Sequence, residues 1–128
     1  MLDDDLYAGK GLVLEDEYKG FKYCICSWDA IFVPCAYIKI RINDYSRPNY
    51  DLIRTLIDEF CHGGITFEGV QTNPQVKIAG NLIGWDYGHI CDYQPLFKFE
   101  NVKKWTIEEI VSEIEVMIDR ISTVPKKD

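Results

Sequence analysis

Trp105-Thr106-Ile107-Glu108-Glu109-Ile110-Val111-Ser112-Glu113-Ile114-Glu115-Val116-Met117-Ile118-Asp119-Arg120-Ile121, followed by Pro125, is the segment from which the architecture can be worked out. Ile107, Ile110, Val111, Ile114, Met117, Ile118 and Ile121 recur at helical spacing and form one apolar stripe. Thr106 and Glu109 have the spacing of a capping box, in which each side chain satisfies an orphan backbone N–H of the first turn. Trp105 ahead of the cap and Ile110 inside the helix have the arrangement of a hydrophobic staple, and Pro125 ends the helix. A helix with a single apolar stripe draws its stability from whatever covers that stripe. The rest of the chain must supply the cover.

Working back from this helix, residues 87–104 show no clear period and hold Gly88, Pro95 and several aromatics, which reads as a long loop. Before them, Ile65 to Val70 and Val76 to Asp86 read as strands, and the connection Gln71-Thr72-Asn73-Pro74-Gln75 predicts a hairpin. Leu52, Ile53, Leu56, Ile57 and Phe60 follow helical spacing, which predicts a helix from near Asn49 to Phe60, stopped by Gly63 or Gly64. The turn-forming run from Asn43 to Asn49 precedes it. Two more strands lie upstream. In the first, Phe21, Tyr23 and Ile25 alternate with Lys22, Cys24 and Cys26. In the second, Ile31 to Ile42, Ile38, Ile40 and Ile42 share one face and Lys39 and Arg41 the other. Asp29-Ala30 is the turn between them, and Pro34 suits an edge or a bulge. Residues 1–17 set six carboxylates against Lys10 alone and read as an acidic arm or irregular lead-in to a globular core over 18–124. The order β-β-α-β-β-α predicts a single α+β domain over 1–128, a mainly antiparallel sheet of about four strands with two helices on one face.

Composition narrows the function. Apolar residues at 47% and charged residues at 27% exclude general disorder. Acidic residues outnumber basic ones 21 to 14, for a net charge of -7, so the chain as a whole has no attraction for nucleic acid or anionic lipid. Direct nucleic-acid binding and membrane association are set aside, and a protein with a basic surface becomes the natural partner. No apolar run is long enough for a transmembrane helix, and the acidic start lacks the pattern of a secretory signal, which predicts a cytoplasmic protein. The five cysteines then read as cytosolic thiols or metal ligands.

Two stretches hold the only histidines. Cys61-His62-Gly63-Gly64-Ile65-Thr66-Phe67 lies where a helix ends and a strand begins; its paired glycines are either a helix stop and tight turn or a place of close ligand approach. Gly84-Trp85-Asp86-Tyr87-Gly88-His89-Ile90-Cys91-Asp92-Tyr93 spaces Asp86, His89 and Asp92 three apart just after a strand. In the predicted hairpin Ile65 and Asp86 fall at the same end, which brings His62 toward His89. Imidazole and carboxylate suit a divalent ion, so His62, Asp86, His89 and Asp92 are the candidate ligands of a zinc site. Cys61 and Cys91 are alternative ligands, and the bland reading is two surface histidines with capping aspartates. Cys24-Ile25-Cys26 reads as two buried small residues and a poor chelate, its thiols expected on opposite faces of the strand. No phosphate-binding glycine loop, nucleophile elbow or H-E-x-x-H occurs. Tyr45, Tyr50, Trp85, Tyr87 and Tyr93 either rim a recognition surface or roof the core. On the last helix, Glu108, Glu109, Glu113, Glu115 and Asp119 form an acidic face, either simply solvated or, with residues 1–17, a negative surface for a basic groove.

His62-Gly63-Gly64-Ile65-Thr66-Phe67, then Ile83-Gly84-Trp85-Asp86 with His89 and Asp92, then Trp105-Thr106-Ile107-Glu108-Glu109, resembles a group of small phage- and prophage-encoded proteins, mostly of unassigned function. There a block like H-G-G-[IL]-T-[FY] precedes one like G-[FW]-D-x-x-H-x-x-D, and a W-T-x-E-E helix closes the chain. The likeness covers residues 22–121; this chain departs in Trp85, Tyr87 and Cys91. It implies a phage context, in which small acidic proteins act by blocking host defence. The expectation is therefore an anti-CRISPR-like inhibitor in the bacterial host cytoplasm that binds an effector nuclease and carries a mainly structural zinc site, with enzymatic activity left open. The alternatives are a metal-dependent hydrolase or nuclease using the same His/Asp cluster, and a protein that sequesters a small nucleotide signal.

Overall fold

The computed structural model describes residues 3–70, 72, 76 and 78–128. β1 (Gly11–Tyr18) turns at Lys19-Gly20 into β2 (Phe21–Ser27), which pairs with β3 (Pro34–Lys39). α1 (Arg47–Phe60), β4 (Phe67–Val70), β5 (Asn81–Asp86) and α2 (Ile107–Ile121) follow. β5 inserts between β3 and β4, giving the order β1-β2-β3-β5-β4 with every neighbouring pair antiparallel. The fold is α+β, and among the described residues its sheet has five strands rather than four.

The added strand is β1, inside the stretch expected to be an acidic arm. Leu12, Val13 and Leu14 are half-buried there while Asp16 and Glu17 are exposed. A bulge between Leu12 and Leu14 breaks the alternation that would have announced a strand. The residues before it are docked too. In a short 3-10 helix, Asp3–Tyr7, Leu6 is fully buried. The Tyr7 hydroxyl donates to the Trp105 carbonyl at 3.0 Å, and Asp3 Oδ1 accepts from the Ile107 N–H at 3.0 Å, adding a carboxylate to the N-terminus of α2.

One face of the sheet carries the main core. Tyr23 and Ile25 from β2, Ala36 and Ile38 from β3, and Ile83 and Trp85 from β5 pack with Ile53 and Ile57 of α1 and the Ile110–Ile121 stripe of α2. Both helices therefore cover the same face, and each buried Ile contributes about 1.5–3 kcal/mol of transfer free energy. The other face buries Cys24, Cys26, Cys35, Tyr37 and Leu82 under Val76 and Ile78. Cys24 and Cys26 share this face, as residues two apart on a strand must; the expectation of opposite faces is corrected. Hydrogen bonding to Cys24 and burial push the Cys26 thiol up, and burial pushes Cys35 up to about 12, so both stay protonated.

The element ends follow local chemistry. The Ser46 hydroxyl accepts from the Asn49 N–H at 3.3 Å and Pro48 sits in the first turn, so α1 starts slightly earlier than its apolar spacing implies. The capping box of α2 is complete: Thr106 Oγ1 accepts from the Glu109 N–H at 3.2 Å, and Glu109 Oε1 from the Thr106 N–H at 3.0 Å. β4 and β5 are shorter than the expected Ile65–Val70 and Val76–Asp86. Of the connection Gln71 to Gln75, only Thr72 lies within the described residues. Among the described residues, 87–104 hold no helix or strand beyond isolated bridges, and no helix is long and apolar enough to cross a membrane.

Candidate functional site

The register of β4 against β5 pairs Phe67 with Gly84, which extrapolates to Ile65 opposite Asp86. The turn leaving α1 and the loop leaving β5 thus meet at one end of the sheet. α1 ends at Cys61, whose N–H donates to the Ile57 carbonyl at 2.8 Å, and Gly63 and Gly64 then take φ values of +73 and +88. That left-handed pair turns the chain back and presents His62 to the loop. On the other side, Asp86 Oδ1 accepts from the Gly88 N–H at 2.9 Å, and the Asp92 N–H closes a turn on the His89 carbonyl at 2.9 Å.

The four residues singled out by spacing come together in two pairs. His62 Nε2 lies 2.7 Å from Asp92 Oδ2, and His89 Nε2 lies 3.4 Å from Asp86 Oδ1. The two imidazole rings are 5.4 Å apart, centre to centre. Asp92 is the fixed point. It is 2% exposed, its Oδ2 also accepts from the His89 N–H at 3.0 Å, and its Oδ1 accepts from the Trp105 indole at 2.9 Å. Burial pushes this carboxyl up, but the donors His89 N–H, Trp105 and His62 outweigh that and hold it below the ordinary aspartate value.

Rings enclose His62. It stacks on Tyr87 at 4.8 Å with planes 6° apart and meets Trp105 edge-on at 5.0 Å. Tyr87 is itself fixed, accepting from the Trp85 indole at 3.0 Å and donating to Glu113 Oε1 at 2.6 Å. Burial and the facing Glu113 carboxylate push its phenol well up, so it remains the donor of that pair. His89 is held differently. A Cβ on Gly63 would overlap the Nε2 edge of its ring, so only glycine leaves room for it, and Nε2 is buried without a hydrogen-bond partner among the described residues.

His62, Asp86, His89 and Asp92 are therefore brought together, as the hairpin register implies. Trp105, Tyr87 and Glu113 complete the network without having been assigned to it from sequence; their contacts join distant segments, and no spacing signals them. Cys61 is half-buried, and burial pushes its thiol up to about 11; Cys91 is exposed. Among the described residues no three His, Cys, Asp or Glu side chains are placed to enclose a metal ion.

The acidic residues of α2 divide into two sets. Glu109 serves the capping box and meets Lys103 Nζ at 2.7 Å; Glu113 serves Tyr87; Asp119 accepts from the Tyr18 hydroxyl at 3.0 Å and pairs with Lys19 at 2.6 Å. Glu108 and Glu115 instead line a groove beside β1 together with Asp3, over Leu14, Ile107 and Val111. No protein-family model, no curated protein and no solved structure matches the chain.

Proposed function

We propose that the protein works by binding rather than by catalysis, as an acidic inhibitor that occupies a basic, nucleic-acid-binding surface of another protein. The observation that carries this is the groove in which Asp3 meets Glu108 and Glu115 over an apolar floor. Two acidic stretches about a hundred residues apart converge there, and carboxylates rimming apolar side chains suit a partner surface of Lys and Arg with aliphatic stems. The His/Asp network serves this reading as a clamp, since Asp92 ties α1, the β5 loop and the start of α2 together. The phage resemblance directs the search for the partner to bacterial defence, with CRISPR effector nucleases first.

Mixing the protein with purified effector nucleases is expected to give a complex on size-exclusion chromatography. An E108K/E115K double variant is expected to fold and to lose that complex. Binding to no effector, together with no protection of phage against host defence, would overturn the proposal.

We place the proposed zinc at the Asp86–His89 pair, where His89 Nε2 is buried and has no hydrogen-bond partner among the described residues. A further donor from Cys61, Cys91 or His62 would have to turn toward it. Elemental analysis of the purified protein is expected to show one zinc per chain, absent from H89A; a metal-free wild type with an unchanged melting curve rules the ion out.

A further inference from the structure

The excess of negative charge hides a place, among the described residues, where cations prevail. Lys22, Lys39, Arg41 and Lys126 wall a cavity of about 140 Å³ in which the opposing carboxylates are Glu17 and Asp44. Four cations against two carboxylates leave two positive charges, in a protein of net charge -7. We propose that this cavity binds a phosphate group, free or carried by a small molecule.

Three features make it more than a patch of surface lysines. First, its walls come from three separate parts of the chain, and the one at the C-terminal end is tied down. The Lys127 N–H donates to the Asp44 carbonyl at 2.7 Å and Asn49 Nδ2 to the Pro125 carbonyl at 2.9 Å, which fixes Lys126 between them. Second, among the described residues no ion pair engages Lys22, Lys39 or Lys126. The Arg41 pair with Asp44, at 3.3 Å through Nε, leaves the terminal nitrogens of its fork available. Third, the back wall is buried aromatic surface, Phe21 and Tyr45, against which charge interactions are screened less than in open water.

The chemistry favours a phosphate. An Arg fork beside several ammonium groups matches a dianion with three exposed oxygens better than a carboxylate. A cavity of about 140 Å³ is roomy enough to admit such a group. Lys39 also lines two shallower grooves on either side: one carries Glu15, Asp16 and Glu17 past Ile78 and Ala79, and the other runs past Gly80 and Asn81. A ligand larger than its phosphate has the second groove to extend into, since the carboxylates of the first repel an anion.

The test is a ¹H–¹⁵N NMR titration of the full chain with inorganic phosphate and, separately, adenosine monophosphate, against sodium chloride at matched ionic strength. Saturable shifts confined to Lys22, Lys39, Arg41, Lys126 and their neighbours are expected. The K39Q and R41Q variants, both at solvent-accessible positions, are expected to keep the rest of the spectrum and to bind about tenfold more weakly. Tighter binding of the nucleotide identifies an organic phosphate as the ligand, and equal binding identifies the free ion. No saturable shift with either probe, or shifts that persist unweakened in both variants, overturns the proposal.

Discussion

Asp92 is the residue on which the candidate site turns. A buried carboxylate is costly unless donors surround it, and here His62, the His89 N–H and Trp105 do so from three segments. Asp92→Asn keeps the shape but removes the charge and sets an amide N–H against one of those donors, so it should cost about 2–3 kcal/mol in urea unfolding. The pH dependence has a definite sign. The folded carboxyl is held below the unfolded value of about 3.9, so its contribution is complete above that pH and lost as the pH falls through the folded value. Wild type should therefore lose stability on acidification more steeply than D92N; parallel acid limbs would show that the charge contributes nothing. Gly63 is the second such residue. Gly63→Ala forces a Cβ against His89 Nε2 at a φ of +73, and should lower stability by about 1–3 kcal/mol while shifting the His89 ring resonances more than those of the distant β1 strand.

At the scale of elements, what sequence could reveal depended on whether the determinants were local. α2 was legible because its cap, first-turn acids and apolar stripe all lie within the helix. Thr106→Ala should therefore cost about 1 kcal/mol, and a Thr106/Glu109 double-mutant cycle should show coupling between the two; additive losses would mean that the box acts as two independent bonds. The meeting of His62 with His89 was legible for a related reason, since hairpin register follows from which residues alternate. β1 was not legible: its bulge disrupts the period and its acids mimic a solvated arm, while its stability comes from pairing with β2 and packing beside α2. Trp105 and Tyr87 show the same limit inside the site. Each was visible as a local feature, a staple residue and a loop aromatic, but their roles come from His62 and Asp92, which lie elsewhere in the chain. Gly84 belongs to this class too. It pairs with Tyr37 on one side and Phe67 on the other, whose rings meet edge-on at 5.6 Å, and a Cβ there would come within 2.5 Å of Tyr37 Cδ1.

For the whole molecule, net charge alone conceals a local pattern: carboxylates converge beside β1 and α2, while cations outnumber them in the cavity of Lys22, Lys39, Arg41 and Lys126. A net charge of -7 sets up self-repulsion in the folded chain, and the groove where Asp3, Glu108 and Glu115 gather is where a basic partner would relieve it. Salt should then act in opposite directions on folding and on binding. Raising sodium chloride from about 0.01 M to about 0.2 M shortens the screening length from about 30 Å to below 10 Å. Over that range the melting temperature of the free protein should rise by about 2–4 °C, and association with a basic partner should slow. In E108K/E115K the thermal response should shrink, because the repelling groups have been replaced by a mixed pattern. Chloride is the salt to use, since phosphate would add occupation of the basic cavity to simple screening. A wild-type melting temperature that stays flat or falls over this range would mean that the groove is too well solvated for its carboxylates to interact, and would remove the electrostatic basis for assigning it to a basic partner.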